Sequence, residues 1–426
     1  MQTFMNEIGN NSFKILNRCR FCDFEDIEIV LDLGSMPLAG AFLKQDEISE
    51  ELYFPLELQF CHNCSMSQVS CVPNPKILFN DKYFFHSSSV FSLVSHFEEY
   101  AKDVYHKFLS NKANHWVLEI GCNDGVLLNP LAKLGSKVIG VDPSSNATSK
   151  IDIKESLIYN DFFGCDLAVK INSKIGKVDL ITANFSFAHI DNMHDVMQGI
   201  TEVLNPKGVF VFEIYYLKTI IEEMNYDMIY HEHMSYYSLI ALKNFLGKYS
   251  IEIFDINYFP KIRSGALRVY AKYKENKLYS TTERFKSMIN LEYTVGLDSK
   301  KPFSAYSQKV EETKVDLLNL ISNLKSEGKI IVGYGASGRS TVIMNYCGIN
   351  TSHIEFVVDD AIEKQGYLTP GSHLEILSWE SMEKRIKPDY IILFAWSFID
   401  EVLQKRSKFR DDGGMFILPL PTVKVI

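Results

Sequence analysis

Short apolar runs alternate with helical stretches through the middle of the chain. In one of these helical stretches, residues 195–204, Val196, Ile200 and Val203 have the spacing of one helix face. Strands that alternate with helices predict a parallel sheet, with a ligand crevice at the carboxyl ends of its strands. The runs that have the length of buried strands lie at 115–121, 137–142, 157–160, 178–184 and 208–214.

Two further apolar runs, at 250–259 and 266–272, follow the last of these strands. Because a short connection joins strands that run in opposite directions, these runs predict an antiparallel hairpin. A parallel sheet finished by an antiparallel hairpin is the outline of the class I, Rossmann-like methyltransferase fold. We therefore expect an α/β protein with such a domain at its centre.

The first strand leads into the loop 119–125, Glu-Ile-Gly-Cys-Asn-Asp-Gly, whose glycines let a ligand approach the backbone. Asp142 ends the next strand, where its carboxylate can bind both hydroxyls of a ribose. NAD needs a carboxylate at the same place, so this residue alone does not distinguish between cofactors. Asn123 replaces the second glycine of the dinucleotide motif, however, and Asp124 would put negative charge beside a pyrophosphate. The loop favours S-adenosylmethionine, which carries a positive sulfonium and no phosphate, over a glycine loop that serves only the fold. Its candidate binding residues are Glu119, Gly121, Asn123, Gly125 and Asp142.

Composition narrows the possible partners. The 426 residues allow two or three domains, and the net charge of −9 gives no bulk attraction to nucleic acid or anionic membrane. No apolar run approaches the roughly 20 residues that span a bilayer. The N-terminus has no basic segment followed by an apolar one, so we expect no signal peptide and a cytoplasmic location.

Four of the eight cysteines form two CxxC pairs, Cys19 with Cys22 and Cys61 with Cys64. In a reducing compartment such pairs favour a metal site, although redox pairs or free thiols are the alternative. Four thiolates complete a tetrahedron around Zn²⁺ and leave no position for water or substrate. The expected zinc is therefore structural.

Taken in order, the motifs resemble those of the S-adenosylmethionine-dependent sugar C-methyltransferases of deoxysugar pathways, which methylate C3 of a TDP-linked 4-keto sugar. The resemblance extends over nearly the whole chain. It implies a zinc-binding domain at 1–80, a methyltransferase domain at 81–275 and a C-terminal Rossmann-like domain at 276–426 that binds the nucleotide sugar. The matching stretches are the two CxxC pairs, 119–125, 184–189, 230–233, 333–336 and 360–371. Where the family has His-Gly-Gly-Ser before its last strand, this chain has Arg-Ser-Gly-Ala at 263–266.

Methylation of carbon beside a ketone needs a base for the α-proton and a hydrogen-bond donor for the enolate oxygen. Residues 230–233, Tyr-His-Glu-His, are the densest set of titratable side chains, although an aromatic lid that packs on the core is the alternative. An extended segment would point His231 and His233 the same way, so periodicity assigns no roles. The resemblance implies the following roles: His233 as the base, Glu232 and Tyr230 to bind or polarise the substrate, His189 as the donor, Tyr83 as a further substrate contact and Asn184 in the cofactor site.

The C-terminal part contains a second glycine-rich loop. Residues 333–338, Gly-Tyr-Gly-Ala-Ser-Gly, follow a predicted strand, and Asp359 lies 24 residues after Gly335. This pattern is typical of a phosphate-binding loop, which an NAD-dependent enzyme would use for pyrophosphate. The resemblance favours the diphosphate of a nucleotide sugar, with Gly333, Gly335, Gly338 and Arg339 as the binding residues.

The sequence thus predicts a C-methyltransferase that acts on a nucleotide-activated keto-deoxysugar. One alternative is an O-methyltransferase on a related sugar or glycan, in which His233 and Glu232 deprotonate a hydroxyl group. The other is a non-catalytic, zinc-containing binding protein that retains the cofactor fold.

Overall fold

The computed structural model describes residues 12–78, 87–89 and 91–426 of the chain. The described strands form four sheets, two in the N-terminal part of the chain and one in each of the two parts that follow. Within these residues, every helix is too short or too polar to cross a membrane.

The N-terminal part is antiparallel. Its strands are β1 (Phe13–Ile15), β2 (Ile27–Pro37), β3 (Tyr53–Cys61), β4 (Ser67–Val69), β5 (Cys71–Pro73) and, from the middle of the chain, β11 (Ser235–Tyr236), with short helices at Gln45–Glu50 and Pro75–Leu78. The main sheet has the order β11-β4-β3-β2, and β1 pairs separately with β5. The strand that the middle of the chain contributes therefore lies at the edge of this sheet.

The central sheet has seven strands. They are β6 (Trp116–Ile120), β7 (Lys137–Val141), β8 (Leu157–Tyr159), β9 (Val178–Asn184), β10 (Leu204–Tyr215), β12 (Ile251–Phe259) and β13 (Ala266–Tyr273). Their order is β8-β7-β6-β9-β10-β13-β12, in which the first five run parallel and β13 is antiparallel to both of its neighbours. This order confirms the predicted fold, although the fifth strand begins at Leu204, four residues before its predicted start.

Helices cover both faces of this sheet, as parallel strands require. The predicted helix at 195–204 is confirmed at Met193–Val203, with Val196, Ile200 and Val203 buried. The other helices and helical turns are Ser87–Ser89, Phe91–Val104, Tyr105–Leu109, Leu128–Lys133, Ser145–Thr148, Cys165–Ile175, Phe187–His189, Leu217–Glu222, Tyr226–Met228, Leu239–Gly247 and Glu283–Val295.

The C-terminal sheet has six strands. They are β14 (Ile331–Tyr334), β15 (Val357–Val358), β16 (Ile376–Leu377), β17 (Tyr390–Leu393), β18 (Met415–Leu418) and β19 (Lys424–Val425). Their order is β16-β15-β14-β17-β18-β19, and all of them except β19 run parallel. The helices of this part are Lys301–Ser326, Gly338–Cys347, Ile362–Lys364, Trp379–Arg385, Trp396–Phe398, Ile399–Lys405 and Ser407–Asp411.

One buried ion pair fastens the C-terminal sheet to the central one. The carboxylate of Asp227, which is fully buried, accepts hydrogen bonds from Arg339 Nε at 2.8 Å and Nη2 at 2.9 Å. Its Oδ2 also accepts one from Trp396 Nε1 at 2.8 Å. Arg339 further donates to Ser264 Oγ at 2.8 Å, so its guanidinium connects three segments.

We predict that Asp227→Asn destabilises the protein by about 3 kcal/mol, because it leaves a mostly buried guanidinium without its counter-charge. Chemical denaturation of the two proteins measures this difference. Glu283→Gln, which breaks an exposed pair with Lys286, is the control and should leave the free energy of unfolding unchanged. An Asp227→Asn protein as stable as the wild type would contradict the interpretation.

Candidate active site and metal centre

A cavity of about 560 Å³ lies at the carboxyl ends of β6, β7 and β9. All three parts of the chain contribute to its wall, since Ala39 and Gly40 come from the N-terminal part and Gly338 from the C-terminal part. Many of the predicted site residues meet here. Those that line the cavity are Gly121, Asn123, Asp142, Asn184, His189, Tyr230, Glu232, His233 and Gly338.

The loop after β6 needs its first glycine for steric reasons. Gly121 has φ +73°, and a Cβ there would lie 2.5 Å from Ser186 Cβ. Asn123 also adopts a left-handed conformation, with φ +48°, which asparagine tolerates better than most residues. The chain thereby turns so that Gly121 and Asn123 face the cavity.

Asp142 closes this loop from the next strand. Its Oδ2 accepts a hydrogen bond from Asn123 N at 2.9 Å, and its Oδ1 accepts one from Ser144 N at the same distance. Burial raises the pKa of Asp142 above its ordinary value. A carboxylate oxygen can accept more than one hydrogen bond, so both oxygens can still receive ribose hydroxyls.

Glu119 acts behind the cavity wall and is not part of it. Its buried carboxyl group accepts a hydrogen bond from Asn184 Nδ2 at 3.3 Å, and burial raises its pKa well above the usual range. Asn184 does line the cavity, and its Oδ1 is buried without a hydrogen-bond partner among the described residues. Gly125 also lies outside the lining and serves the turn, with φ +76°. The residues present therefore fit S-adenosylmethionine, with an unsatisfied acceptor and a carboxylate in the cavity wall.

Asp124 does not lie beside the ligand site, where the sequence placed it. Its Oδ2 accepts hydrogen bonds from Ser88 N at 3.1 Å and Ser88 Oγ at 2.6 Å, and it does not line the cavity. The neighbouring Asn123 Oδ1 accepts one from Ser87 N at 3.0 Å. The acidic residue thus caps a helical turn, and its charge says little about the ligand.

Tyr230 and His233 form a hydrogen-bonded pair in the cavity wall. His233 Nδ1 lies 2.8 Å from the carbonyl oxygen of Met228 and must donate to it. Its Nε2 therefore accepts the hydrogen bond from Tyr230 Oη, also at 2.8 Å. Burial, with a smaller contribution from His189, holds the pKa of His233 well below its usual range. The imidazole is thus neutral at pH 7.

His189 has the same tautomer. Its Nδ1 donates to the carbonyl oxygen of Glu232 at 2.7 Å, and burial lowers its pKa to about 4. In the neutral ring Nε2 is an acceptor, which is opposite to the donor role expected for this residue. The rings of His189 and His233 lie 5.0 Å apart.

His231 does not face the cavity, so the two alternate histidines of this segment do not point the same way. Its Nε2 donates to the carbonyl oxygen of Pro55 at 3.1 Å, and its ring packs edge-on against Phe54. The residue tethers the segment to the N-terminal part.

Glu232 presents a buried carboxyl group to the cavity. Burial raises its pKa to about 7, and its Oε2 has no hydrogen-bond partner among the described residues. A Cβ on Gly40 would lie 3.8 Å from Glu232 Oε1, so the N-terminal part covers this group. At neutral pH a large share of the carboxyl group is protonated and can act as a donor.

Several lining residues were not singled out from the sequence. Ala39 and Gly40 follow a strand whose pattern gives no sign of the cavity, and Asp191 follows the helical turn at His189. Arg263 contributes the one Lys or Arg side chain among the described lining residues, from the segment that departs from the family motif. Tyr83 lies outside the described residues.

The four predicted metal ligands meet in one cluster. The sulfur atoms of Cys19, Cys22, Cys61 and Cys64 lie within 4.8 Å of one another. The closest pairs, Cys19 with Cys64 and Cys22 with Cys61, are 3.5 Å apart. Sulfur atoms bound to zinc at about 2.3 Å in a tetrahedron lie about 3.8 Å apart, so the cluster fits a zinc site with four thiolate ligands.

The C-terminal glycine loop uses its amide groups internally. Ala336 N donates to Asp359 Oδ2 at 2.6 Å, and Gly335 N donates to the carbonyl oxygen of Val358 at 2.8 Å. A Cβ on Gly333 would lie 2.7 Å from the Phe394 ring, so this glycine serves packing. Arg339 is paired with Asp227. Of the four residues of the predicted diphosphate site, Gly338 is the one that lines the central cavity.

Three family models match the chain in order. They are described as "Putative zinc binding domain" over 19–79, "Methyltransferase domain" over 93–253 and "C-methyltransferase C-terminal domain" over 261–421. The chain is 28% identical to the C-methyltransferase NovU of Streptomyces niveus, over 96% of this chain and 97% of that protein. A ubiquinone biosynthesis O-methyltransferase of Bradyrhizobium diazoefficiens is 32% identical over 22% of this chain and 38% of that protein.

Among solved structures, a methyltransferase of Clostridium acetobutylicum aligns with 42% of this chain and 92% of its own, at 17% identity and a TM-score of 0.34. The matched domains define a methyltransferase that depends on S-adenosylmethionine and contains a structural zinc site. The three matched domains follow one another along the chain, and over nearly its whole length the chain is similar to a C-methyltransferase.

We predict that the double variant Cys61→Ser, Cys64→Ser loses one metal ion per chain, because hydroxyl groups do not replace thiolate ligands. Elemental analysis of the purified protein measures the metal directly. Cys71→Ala removes a buried cysteine of the same domain that is not in the cluster and should keep the ion. Wild-type protein without metal would refute the site.

Proposed function

We propose that the protein transfers a methyl group to the carbon α to the ketone, C3, of a nucleotide-linked 4-keto-deoxysugar. The observation that carries the proposal is the neutral Tyr230–His233 pair, which shares one cavity with Glu232 and the candidate cofactor residues. The resemblance to sugar C-methyltransferases and the similarity to a C-methyltransferase over nearly the whole chain support it.

S-adenosylmethionine supplies an electrophilic methyl group when it is bound. We propose that Gly121 and Asn123 bind it through their backbone, while Asp142 accepts the ribose hydroxyls and Asn184 Oδ1 a further hydrogen bond. Glu119 orients Asn184 from behind.

In the proposed mechanism, His233 is the base and acts through Tyr230. The phenolic oxygen takes the α-proton while its own proton passes to His233 Nε2, and the electrons of the C–H bond form the enolate. The negative charge that develops on the substrate favours the imidazolium, which offsets the lowering of the His233 pKa by burial. The carbon would then bond to the methyl group while the bond between that methyl group and the sulfonium sulfur breaks, so that S-adenosylhomocysteine leaves. The imidazolium returns its proton to solvent.

Glu232, in its protonated form, donates a hydrogen bond to the developing enolate oxygen. A neutral acid that is already buried beside the ketone needs little reorganisation and can stabilise the transition state by a few kcal/mol. This proposal gives Glu232 the donor role that His189 cannot fill from Nε2 in its neutral form.

The substrate would bind between the three parts of the chain. Ala39, Gly40 and Gly338 all line the cavity, and Gly338 lies next to Ala39, since a Cβ on Gly338 would lie 3.3 Å from Ala39 Cβ. The cation of Arg263 suits the negative charge of a nucleotide sugar or of its enolate. In this proposal the zinc-binding domain at 1–80 and the C-terminal domain at 276–426 close the substrate site of the central domain at 81–275.

We predict that Tyr230→Phe and His233→Ala each reduce methyl transfer by about 10² to 10⁴-fold while the affinity for the methyl donor stays the same. Calorimetric titration of the donor and transfer of labelled methyl measure the two effects. His231→Gln, two residues away and outside the cavity, is the control, because it keeps a donor for the Pro55 carbonyl and should keep the turnover rate.

Exchange of the substrate hydrogen with solvent distinguishes the types of reaction. With a keto sugar in deuterated water, a C-methyltransferase exchanges the hydrogen at the carbon it methylates, and Tyr230→Phe should abolish this exchange. Methyl transfer without exchange would support the O-methyltransferase alternative, and no transfer of label would support a binding protein.

The rate should fall as pH rises through about 7, because the reaction needs Glu232 in its protonated form and its pKa is raised to about 7. His189 and His233 have lowered pKa values and stay neutral there, so the rate should be level below pH 7 until well into the acid range. Glu232→Gln, which keeps an N–H donor at every pH, should remove the alkaline fall in a plot of turnover against pH. An alkaline fall that persists in this variant would assign it to another group.

A further inference from the structure

Arg20 lies between two of the zinc ligands, in the sequence Cys19-Arg20-Phe21-Cys22, yet its side chain points away from the cluster. Only 5% of the side chain is exposed. Its Nη2 donates to Asp191 O and Asp191 Oδ1, each at 2.8 Å. Its Nη1 donates to Met234 O at 3.1 Å and reaches Ser235 Oγ at 3.4 Å.

These acceptors lie on the two segments that carry the cavity histidines. Asp191 comes two residues after His189, and Met234 comes directly after His233. The planar guanidinium presents its donors in a fixed fork, so one side chain sets the distance between the two segments. The segments also contact each other through Met234 N, which donates to Ala188 O at 2.7 Å.

The backbone of Arg20 is itself held firmly. Its N–H donates to Gln68 Oε1 at 2.9 Å, and Gln68 Nε2 donates to the carbonyl oxygen of Arg18 at 3.1 Å. On the other side, the carbonyl oxygen of Phe21 accepts a hydrogen bond from Lys248 Nζ at 2.7 Å. The backbone from which the guanidinium extends is therefore anchored in the turn at 19–22, hereafter called the knuckle.

We propose that Arg20 is a positioning residue that holds His189 and His233 in their reactive arrangement from the zinc-binding knuckle. The role rests on the proposed function, because the two histidines matter only if their cavity is the reaction site. In this role the zinc-binding domain contributes to catalysis indirectly. The folded knuckle holds the Arg20 guanidinium, and the guanidinium in turn holds the segments that carry His189 and His233.

The test variant is Arg20→Lys, whose single ammonium group keeps the charge but cannot satisfy acceptors on both segments. We expect turnover to fall at least tenfold, while donor affinity and metal content stay within twofold of the wild type. Amide hydrogen exchange, followed by mass spectrometry, should become faster in the peptides that contain residues 188–192 and 233–236. Arg18→Ala is the matched control, because Arg18 lies directly before the knuckle and its guanidinium pairs with the exposed Asp23 and Glu25, which are far in sequence from both histidine segments.

Unchanged turnover in Arg20→Lys with its metal retained would overturn the proposal. So would a loss of metal in parallel with activity, because Arg20 would then serve the cluster and not the histidines. If the wild type transfers no methyl group, the proposed function fails, and the exchange rates of the two segments still decide whether Arg20 positions them.

Discussion

The pairing of β11 with β4 is the constraint on which the position of His233 in the cavity wall depends. Ser235 lies opposite Gln68, and Tyr236 opposite Ser67, so a two-residue strand of the central part completes the zinc-binding sheet. Such a short strand has little stability of its own and is held by the sheet that it joins. Because His233 comes only two residues earlier, its position is fixed by the sheet of the zinc-binding domain, which also lines the cavity through Ala39 and Gly40.

Burial then decides the chemistry of the cavity. His189 and His233 are neutral because the protein interior solvates an imidazolium poorly, and Glu232 has a raised pKa for the corresponding reason. Both imidazoles donate from Nδ1 to a backbone carbonyl, so the main chain selects the tautomer that offers Nε2 as an acceptor. One physical cause thus produces two neutral imidazoles and a partly protonated carboxyl group in the same cavity at neutral pH. Proton transfer from carbon needs groups of this kind.

Much of this architecture could be predicted from the sequence, because period and spacing are local signals. The parallel strands, the hairpin and the four-cysteine cluster follow from runs of apolar residues and from paired cysteines, and the structure contains each of them. The tautomer of His189, the capping role of Asp124 and the direction of His231 could not be predicted. Each depends on a partner far away in the chain, such as the Pro55 carbonyl that accepts from His231.

The C-terminal loop shows how one motif can serve more than one purpose. Glycines at 333, 335 and 338 with an acid after the next strand are what a dinucleotide needs, and they are also what a tight strand-to-helix turn needs. Here the Asp359 carboxylate accepts the hydrogen bond from Ala336 N, which a phosphate could otherwise accept. The backbone N–H group of the turn therefore has its partner within the protein. The loop can then contribute a wall to the neighbouring cavity through Gly338, while Arg339 fastens that wall to Asp227. The C-terminal sheet also keeps a crevice of its own, which is lined by Tyr334, Gly335, Asp359 and Asp360. The C-terminal part thus contributes an edge to the central cavity through Gly338 and retains a separate cavity at the ends of its own strands.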